Sequence, residues 1–292
     1  MVIPDAFRQC VAILYTEHLD EGSGSRTLAP RGTAFFVTYP TSRIPDQQFV
    51  YLITAKHNIL RAQTVADRLG IRVNTQGESA GYTWASLRDE SPWALHPDPT
   101  VDVAAVPFAP DPGLFDHRAI GTLQFASRDG LKQEKPPVGP GDSVFFIGLF
   151  PQHAGHLRNY PIARFGQISL MLEEPIQTET GPTEAILVEI QAQPGNSGSP
   201  VFLYFAPDRQ PGTLVAGELR FFLLGLLQGH FPIPMEVIDN VGPVGKVNMN
   251  TGISVVQPAW RIRELLDSHP LLIENRKRQE DSVLEERAKP QE

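Results

Sequence analysis

Cysteine is nearly absent from this sequence. The chain of 292 residues contains one cysteine, Cys10, so no disulfide bond can form within it. Structural disulfides occur mainly in oxidising compartments and are rare in the cytosol. The single cysteine therefore favours a reducing environment, and we expect a cytoplasmic location.

Long apolar runs and a targeting segment are also missing. The longest apolar run, residues 221–227, suits a buried strand, whereas a membrane-spanning helix needs roughly 18 apolar residues or more. The first residues contain no basic segment followed by an apolar core, which predicts that there is no signal peptide. We therefore expect no membrane partner.

Basic residues are outnumbered by acidic ones. There are 25 Lys and Arg against 33 Asp and Glu, for a formal net charge of −8. Domains that bind nucleic acid use a basic excess to neutralise phosphates, so this balance argues against a nucleic-acid partner.

Cofactor and metal signatures are weak or missing. No P-loop or dinucleotide fingerprint is present, and we expect no cofactor. His153 and His156 have a spacing that a metal site could use. However, no cysteine cluster or HExxH motif accompanies them, so an ordinary loop without metal is favoured.

What the sequence does contain is a series of short apolar runs separated by turns. Its 27 prolines and 24 glycines are spread along the chain, and the runs between them are rich in β-branched and aromatic residues, which is typical of strands. Strands are predicted at residues 10–15, 32–38, 49–55, 101–108, 143–150, 201–205, 213–216, 221–227 and 252–256.

The pattern predicts an all-β protein with two strand-rich halves. Residues 109–116 are rich in proline and aspartate and divide the chain into an N-terminal unit, residues 1–115, and a C-terminal unit, residues 116–268. Helical spacing is clear only at residues 260–267, near the end of the second unit. The remaining segment, residues 269–292, is a charged tail of mixed sign. Such a tail is either a solvated helix or disordered, and we expect partial disorder.

The most distinctive stretch is the run QPGNSGSP at residues 193–200, which lies between two apolar runs. Gly195 and Gly198 allow backbone angles that a Cβ would forbid. Amide N–H groups around such a turn can converge on an anion, as a nucleophilic serine requires when its reaction forms an oxyanion. Taken alone, the run is equally consistent with an ordinary turn between two strands.

Two distant residues match the partners that such a serine needs. His57 follows the apolar run 49–55, and histidine is the commonest base because its pKa lies near neutrality. Asp102 lies between two valines, where a lone carboxylate is unfavourable unless it is paired. Each has an ordinary alternative: a surface histidine at the start of a loop, and an outward-facing aspartate on an edge strand.

Together these motifs resemble those of a known family. GTAFFV at residues 32–37, LITAKH at 52–57, VDVA at 101–104 and GNSGSP at 195–200 occur in the order found in chymotrypsin-like serine proteases. The nearest resemblance is to bacterial trypsin-like peptidases, the branch that includes HtrA-type proteases. It extends over residues 8–267 and implies two antiparallel six-stranded β-barrels, followed by a C-terminal helix, with the site between the barrels. Thr33 and Ser199 stand where that family often has other small residues.

The resemblance implies a role for each motif residue. Ser197 would be the nucleophile, His57 the general base and Asp102 the carboxylate that orients the imidazole. The backbone N–H groups of Gly195 and Ser197 would form the oxyanion hole. Because Asn196 stands where activation by a new N-terminus requires aspartate, we expect a chain that is active as translated.

The same resemblance indicates a substrate pocket. Its base would be Gln191, six positions before the serine, and its wall would include Gln228, Gly229 and His230. Gln191 is neutral, so no preference for Lys or Arg is predicted. His230 could bind an acidic or polar side chain, although a plain loop histidine is the more ordinary interpretation.

The implied function is a serine endopeptidase that cleaves a protein or peptide substrate through an acyl-enzyme on Ser197. The alternative is a non-catalytic peptide-binding module on a protease-like fold. A weaker possibility is a protease that works within a larger assembly, to which nothing in the sequence points directly. The oligomeric state is not predicted.

Overall fold

The N-terminal half of the chain forms one large sheet. The computed structural model describes residues 2–19, 26–45, 47–88, 91–171, 174–178, 181–205, 209, 220–238 and 243–288. The strands of this half are β1 (Val11–Leu19), β2 (Arg26–Pro40), β3 (Gln48–Thr54), β4 (Arg68–Asn74), β5 (Ala80–Ser86), β6 (Ala94–Leu95), β7 (Ala104–Pro107) and β8 (Ile120–Gly121).

The strand order in this sheet is β5-β4-β1-β2-β3-β7-β6, and β8 adds a short parallel pairing to β2. The sheet therefore has eight strands, where the resemblance implies six. The two additional strands, β6 and β8, are only two residues long each. The six longer strands all pair in antiparallel fashion with their neighbours.

The C-terminal half contains a closed six-stranded barrel. Its chain runs through β9 (Ser143–Gly148), β10 (Ile162–Met171), the separate pair β11 (Ile176–Thr178) and β12 (Gly181–Thr183), then β13 (Ile186–Glu189), β14 (Pro200–Phe205), β15 (Arg220–Ile238) and β16 (Pro243–Pro258). The barrel closes in the order β10-β13-β16-β15-β14-β9. The prediction was an all-β protein with two six-stranded barrels and a C-terminal helix. It is confirmed as a mostly β structure in which, among the described residues, one six-stranded barrel closes, while the N-terminal half forms an eight-stranded sheet. The predicted strand at residues 213–216 lies outside the described residues.

Strand β9 joins the two halves because it is buried on both faces. Val144 and Phe146 point into the apolar interior of the barrel. Phe145 and Ile147 alternate with them and pack into a second cluster, which also contains Phe35 of the N-terminal sheet. Burial on both faces explains why this strand reads as a continuous apolar run and not as an alternating one.

The described chain also contains five α-helices, α1 (Asp5–Gln9), α2 (Lys56–Gln63), α3 (Arg128–Gln133), α4 (Ala259–Ser268) and α5 (Pro270–Ala288), and two short 3-10 helices, Thr122–Gln124 and Pro151–His153. The helix predicted at residues 260–267 is confirmed as α4, and its apolar stripe of Ile262, Leu265 and Leu266 is fully buried. Among the described residues, no helix is long and apolar enough to span a membrane.

The charged segment after residue 268 differs from expectation. The sequence favoured partial disorder, but residues 270–288 form helix α5, which packs on the N-terminal half; residues 289–292 lie outside the described residues. Its Glu280 is only 4% exposed and accepts hydrogen bonds from the backbone N–H groups of Ser42 and Arg43, at 2.7 and 3.2 Å. A charge pattern cannot distinguish a solvated carboxylate from one that anchors a helix, which is why the sequence misled here.

Glu280→Ala tests whether this contact holds α5 in place. Removing the carboxylate takes away the charged acceptor of two part-buried hydrogen bonds, so we expect the free energy of unfolding to fall by about 2 kcal/mol. Glu286→Ala, at an exposed position of the same helix, is the matched control and should change it little. Urea unfolding followed by tryptophan fluorescence measures both. Equal stability of the two variants would show that Glu280 does not anchor the helix.

Candidate active site

His57 and Asp102 form a short, largely buried pair. The Nδ1 atom of His57 lies 2.6 Å from Oδ2 of Asp102, and the backbone N–H of His57 donates to Oδ1 at 2.8 Å. The Asp102 side chain is 1% exposed and the His57 side chain 17% exposed. A carboxylate that accepts from Nδ1 leaves the other ring nitrogen, Nε2, free to act as a base.

Asp102 also acts as the missing cap of helix α2. Ala55, at the N-cap position of that helix, has no side-chain acceptor for the free N–H groups of the first turn. Asp102 supplies one from outside the helix through its bond to the backbone of His57. The positive end of the helix dipole favours a carboxylate at this place. The sequence predicted Asp102 within a strand, but it lies in the extended segment just before β7. From there its side chain reaches the N-terminal end of α2.

Two successive tight turns shape the serine loop between β13 and β14. The Asn196 N–H donates to the Gln193 carbonyl at 3.0 Å, and the Ser199 N–H donates to the Asn196 carbonyl at 3.0 Å. The third residue of each turn, Gly195 and Gly198, has a positive φ, of 94° and 86°. Positive φ at that position is the mark of a type II turn, which requires glycine there and favours proline at the position before it, as Pro194 provides.

These turns leave two amide groups available. Among the described residues, neither the N–H of Gly195 nor that of Ser197 donates to another group, whereas the N–H groups of Asn196, Gly198 and Ser199 are all bonded internally. Free N–H groups on alternate residues of a tight turn are suited to bind an oxyanion. The structure therefore leaves free the two donors that the sequence resemblance implies.

Hydrogen bonds fix the serine loop to the N-terminal sheet. The carbonyl of Ser197 accepts from the Thr33 N–H and from Asn58 Nδ2, each at 3.0 Å. The Thr33 hydroxyl donates to the Gly195 carbonyl at 3.0 Å and accepts from the Leu149 N–H at 3.0 Å. Sequence reasoning missed the roles of Thr33 and Asn58, because each depends on a partner that is more than 100 residues away.

The Ser197 hydroxyl does not point at His57 in this structure. Its Oγ donates to the carbonyl of Gln228 at 2.9 Å, and no hydrogen bond joins it to His57 among the described residues. Catalytic hydrogen bonds are often long or absent in structures without substrate. The two side chains nevertheless line one cavity of about 570 Å³.

The cavity wall contains most of the predicted pocket residues. Gln228, Gly229 and His230 line it, together with Arg61 of helix α2, which follows His57 by one helical turn. Gln191 is not among its lining residues. That side chain is exposed and accepts a bond from Arg164 at 3.5 Å, while the adjacent Ala192 and Gln193 take its place at the cavity.

Asn196 of the serine motif and the two histidines at positions 153 and 156 also have partners in the structure. Asn196 is 1% exposed; its side chain accepts from the Gln193 N–H and donates to the Leu149 carbonyl, at 2.8 and 2.6 Å. The carbonyl of His156 accepts from Arg72 at 2.8 Å, and His153 stacks on Tyr160. Within the described ranges, no three His, Cys, Asp or Glu side chains converge as metal ligands would.

Neither a protein-family model nor a curated protein sequence matches this chain, but several solved structures align with most of it. The MamO protease domain from Magnetospirillum magneticum, in its apo form, is 15% identical over 89% of this chain and 96% of that one, with a TM-score of 0.48. An inactive form of the Rv3671c protease is 15% identical over 91% of each chain, with a TM-score of 0.43. A mutant inactive form of Rv3671c, from M. tuberculosis H37Rv, is 14% identical over 90% and 87%, with a TM-score of 0.44. At these values the similarity transfers no residue role and no activity to this chain.

Proposed function

We propose that this chain is a chymotrypsin-like serine endopeptidase with Ser197 as nucleophile, His57 as general base and Asp102 as the orienting carboxylate. The supporting observation is the shared cavity. A histidine held by a buried carboxylate and a serine in a turn with two free N–H groups face the same space.

The proposed reaction begins when the Ser197 hydroxyl turns from the Gln228 carbonyl to Nε2 of His57. His57 accepts the proton as Oγ attacks the peptide carbonyl, and the N–H groups of Gly195 and Ser197 bind the resulting oxyanion. The protonated imidazole then donates to the leaving amine, which gives an acyl-enzyme. Water, activated by the same histidine, hydrolyses it. Asp102 stabilises the imidazolium throughout.

The lining of the cavity favours uncharged or acidic substrate side chains. Its described wall contains apolar and amide groups together with His57, Arg61 and His230, and no carboxylate. A buried Lys or Arg side chain of a substrate would have no opposite charge there, which is unfavourable.

A fluorophosphonate probe tests the nucleophile. We expect covalent labelling of the wild type and none of Ser197→Ala, since the probe reacts only with an activated serine. Ser199→Ala is the matched control, because Ser199 lies in the same turn but is fully buried, and its labelling should persist. Absence of labelling in a folded wild type, checked by thermal melting, would refute the proposed activity.

Thr33→Val tests whether the bonds between the halves support the site. Valine keeps the shape but removes the hydroxyl that bonds to Gly195 and Leu149. We expect about 1–3 kcal/mol lower stability, since a buried N–H and a part-buried carbonyl lose their partner, and slower probe labelling because the oxyanion turn is less fixed. Thr38→Val, on the same strand but away from the serine loop, should change neither. Unchanged labelling by Thr33→Val would contradict this role.

Digestion of a mixed peptide library tests substrate choice. We expect cleavage next to neutral or acidic residues and little next to Lys or Arg, as read by mass spectrometry of the new termini. Replacing the cavity histidine, His230→Leu, should reduce cleavage at acidic residues while sparing neutral ones. Predominant cleavage next to Lys or Arg would overturn this reading of the cavity.

One observation favours the alternative, a peptide-binding module without activity. The Ser197 hydroxyl bonds to Gln228 and not to His57. Under this alternative, the library would give stable complexes with the wild type and no cleavage products. Cleavage that Ser197→Ala abolishes would exclude it.

A further inference from the structure

Lys56, the residue before His57, has an unusual environment for a lysine. It is 9% exposed, and its ammonium group lies against three main-chain carbonyls. Nζ donates to the carbonyl of His96 at 3.3 Å, of Asp98 at 2.9 Å and of Pro99 at 3.4 Å. All three of its hydrogens therefore have an acceptor within one short segment.

That segment is the loop that leads to Asp102. The backbone N–H of His96 donates to the carbonyl of Val103 at 3.0 Å, which closes a loop over residues 96–103. Inside this loop the Asp98 carbonyl accepts both the Val101 N–H, at 3.2 Å, and the lysine. Lys56 thus links the first residue of helix α2 to the loop that holds the carboxylate.

Burial of a charged ammonium group is energetically unfavourable. Burial disfavours the charged form and lowers the pKa of Lys56, while the nearby carboxylates of Asp102 and Asp98 oppose that shift. A positively charged neighbour is favourable for the Asp102 carboxylate. Among the described residues, its two hydrogen bonds both come from His57, and its side chain is almost fully buried.

We propose, on the basis of the proposed function, that Lys56 is a positioning residue that holds Asp102 in bonding distance of His57. The ammonium fixes the 96–103 loop against the start of α2, so the carboxylate meets both the backbone and the ring of His57. Without it, the three carbonyls lose the ammonium as a donor, the Asp98 carbonyl keeps the Val101 N–H, and the loop carrying Asp102 relaxes.

The test compares Lys56→Met, Asp102→Asn and the double variant. Methionine fills the space of the lysine stem without a charge, and Lys277→Met, at an exposed site on α5, is the matched control. The rate constant and the affinity of fluorophosphonate inactivation are measured separately for each protein, with thermal melting for stability. A proton NMR spectrum of the downfield His57 Nδ1 hydrogen reports the bond to Asp102 without any turnover.

For Lys56→Met we expect the inactivation rate constant to fall roughly 100-fold with unchanged probe affinity, since misplacing a catalytic group by about an ångström has effects of that size. The downfield Nδ1 signal should weaken or shift. In the Asp102→Asn background, Lys56→Met should lower the inactivation rate constant little further, because Lys56 acts through Asp102. Lys277→Met should match the wild type in every measurement.

An unchanged Nδ1 signal and an unchanged rate constant in Lys56→Met would overturn the proposal. It is also overturned if the fold-change in rate constant of the double variant equals the product of the two single fold-changes, as a general loss of stability would give. A wild type that resists the probe refutes the proposed activity instead. In that case the Nδ1 signal alone decides whether Lys56 positions Asp102.

Discussion

The carbonyl of Ser197 is the point on which the site depends. It accepts hydrogen bonds from the Thr33 N–H and from Asn58 Nδ2, each at 3.0 Å. Asn58 follows His57 directly in helix α2, so one oxygen atom fixes the serine loop relative to the histidine. Orientation of this kind is a large part of what a protein contributes to a reaction between two side chains.

These bonds hold only because the two halves pack tightly around them. Strand β9 presents Phe145 and Ile147 to the cluster shared with the N-terminal sheet and Val144 and Phe146 to the barrel. Close-packed apolar cores allow little relative movement. Glycine at position 198 shows how close the halves approach, since a Cβ there would lie 2.1 Å from the Thr33 carbonyl.

The sequence predicted the features that depend on neighbours in the chain. The Pro194–Gly195 turn, the apolar strands around it and helix α4 follow from local chemistry. The grouping of His57, Asp102 and Ser197 into one site was inferred from the family resemblance. In the structure His57 lies beside Asp102 and lines one cavity with Ser197.

Features that depend on distant partners were missed or misread. Asp102 caps a helix whose own N-cap residue is alanine, and Glu280 anchors a helix that looks solvated by composition. Strand β15 continues through Pro232 and Pro234, where the sequence indicated an end. It does so because, among the described strands, only β16 pairs with it there, and proline is tolerated at such a sheet edge.

The resting position of the Ser197 hydroxyl follows from the same constraints. A hydroxyl has one hydrogen, and here it bonds to the Gln228 carbonyl. Under the proposed mechanism it turns from that carbonyl to the imidazole. A hydrogen bond of this type contributes about 1 kcal/mol net, so exchanging one acceptor for the other changes the free energy little. Under the proposed mechanism, a substrate N–H that binds the Gln228 carbonyl displaces the serine hydroxyl from it. Binding and activation would then be one event, because occupying the cavity turns the nucleophile toward its base.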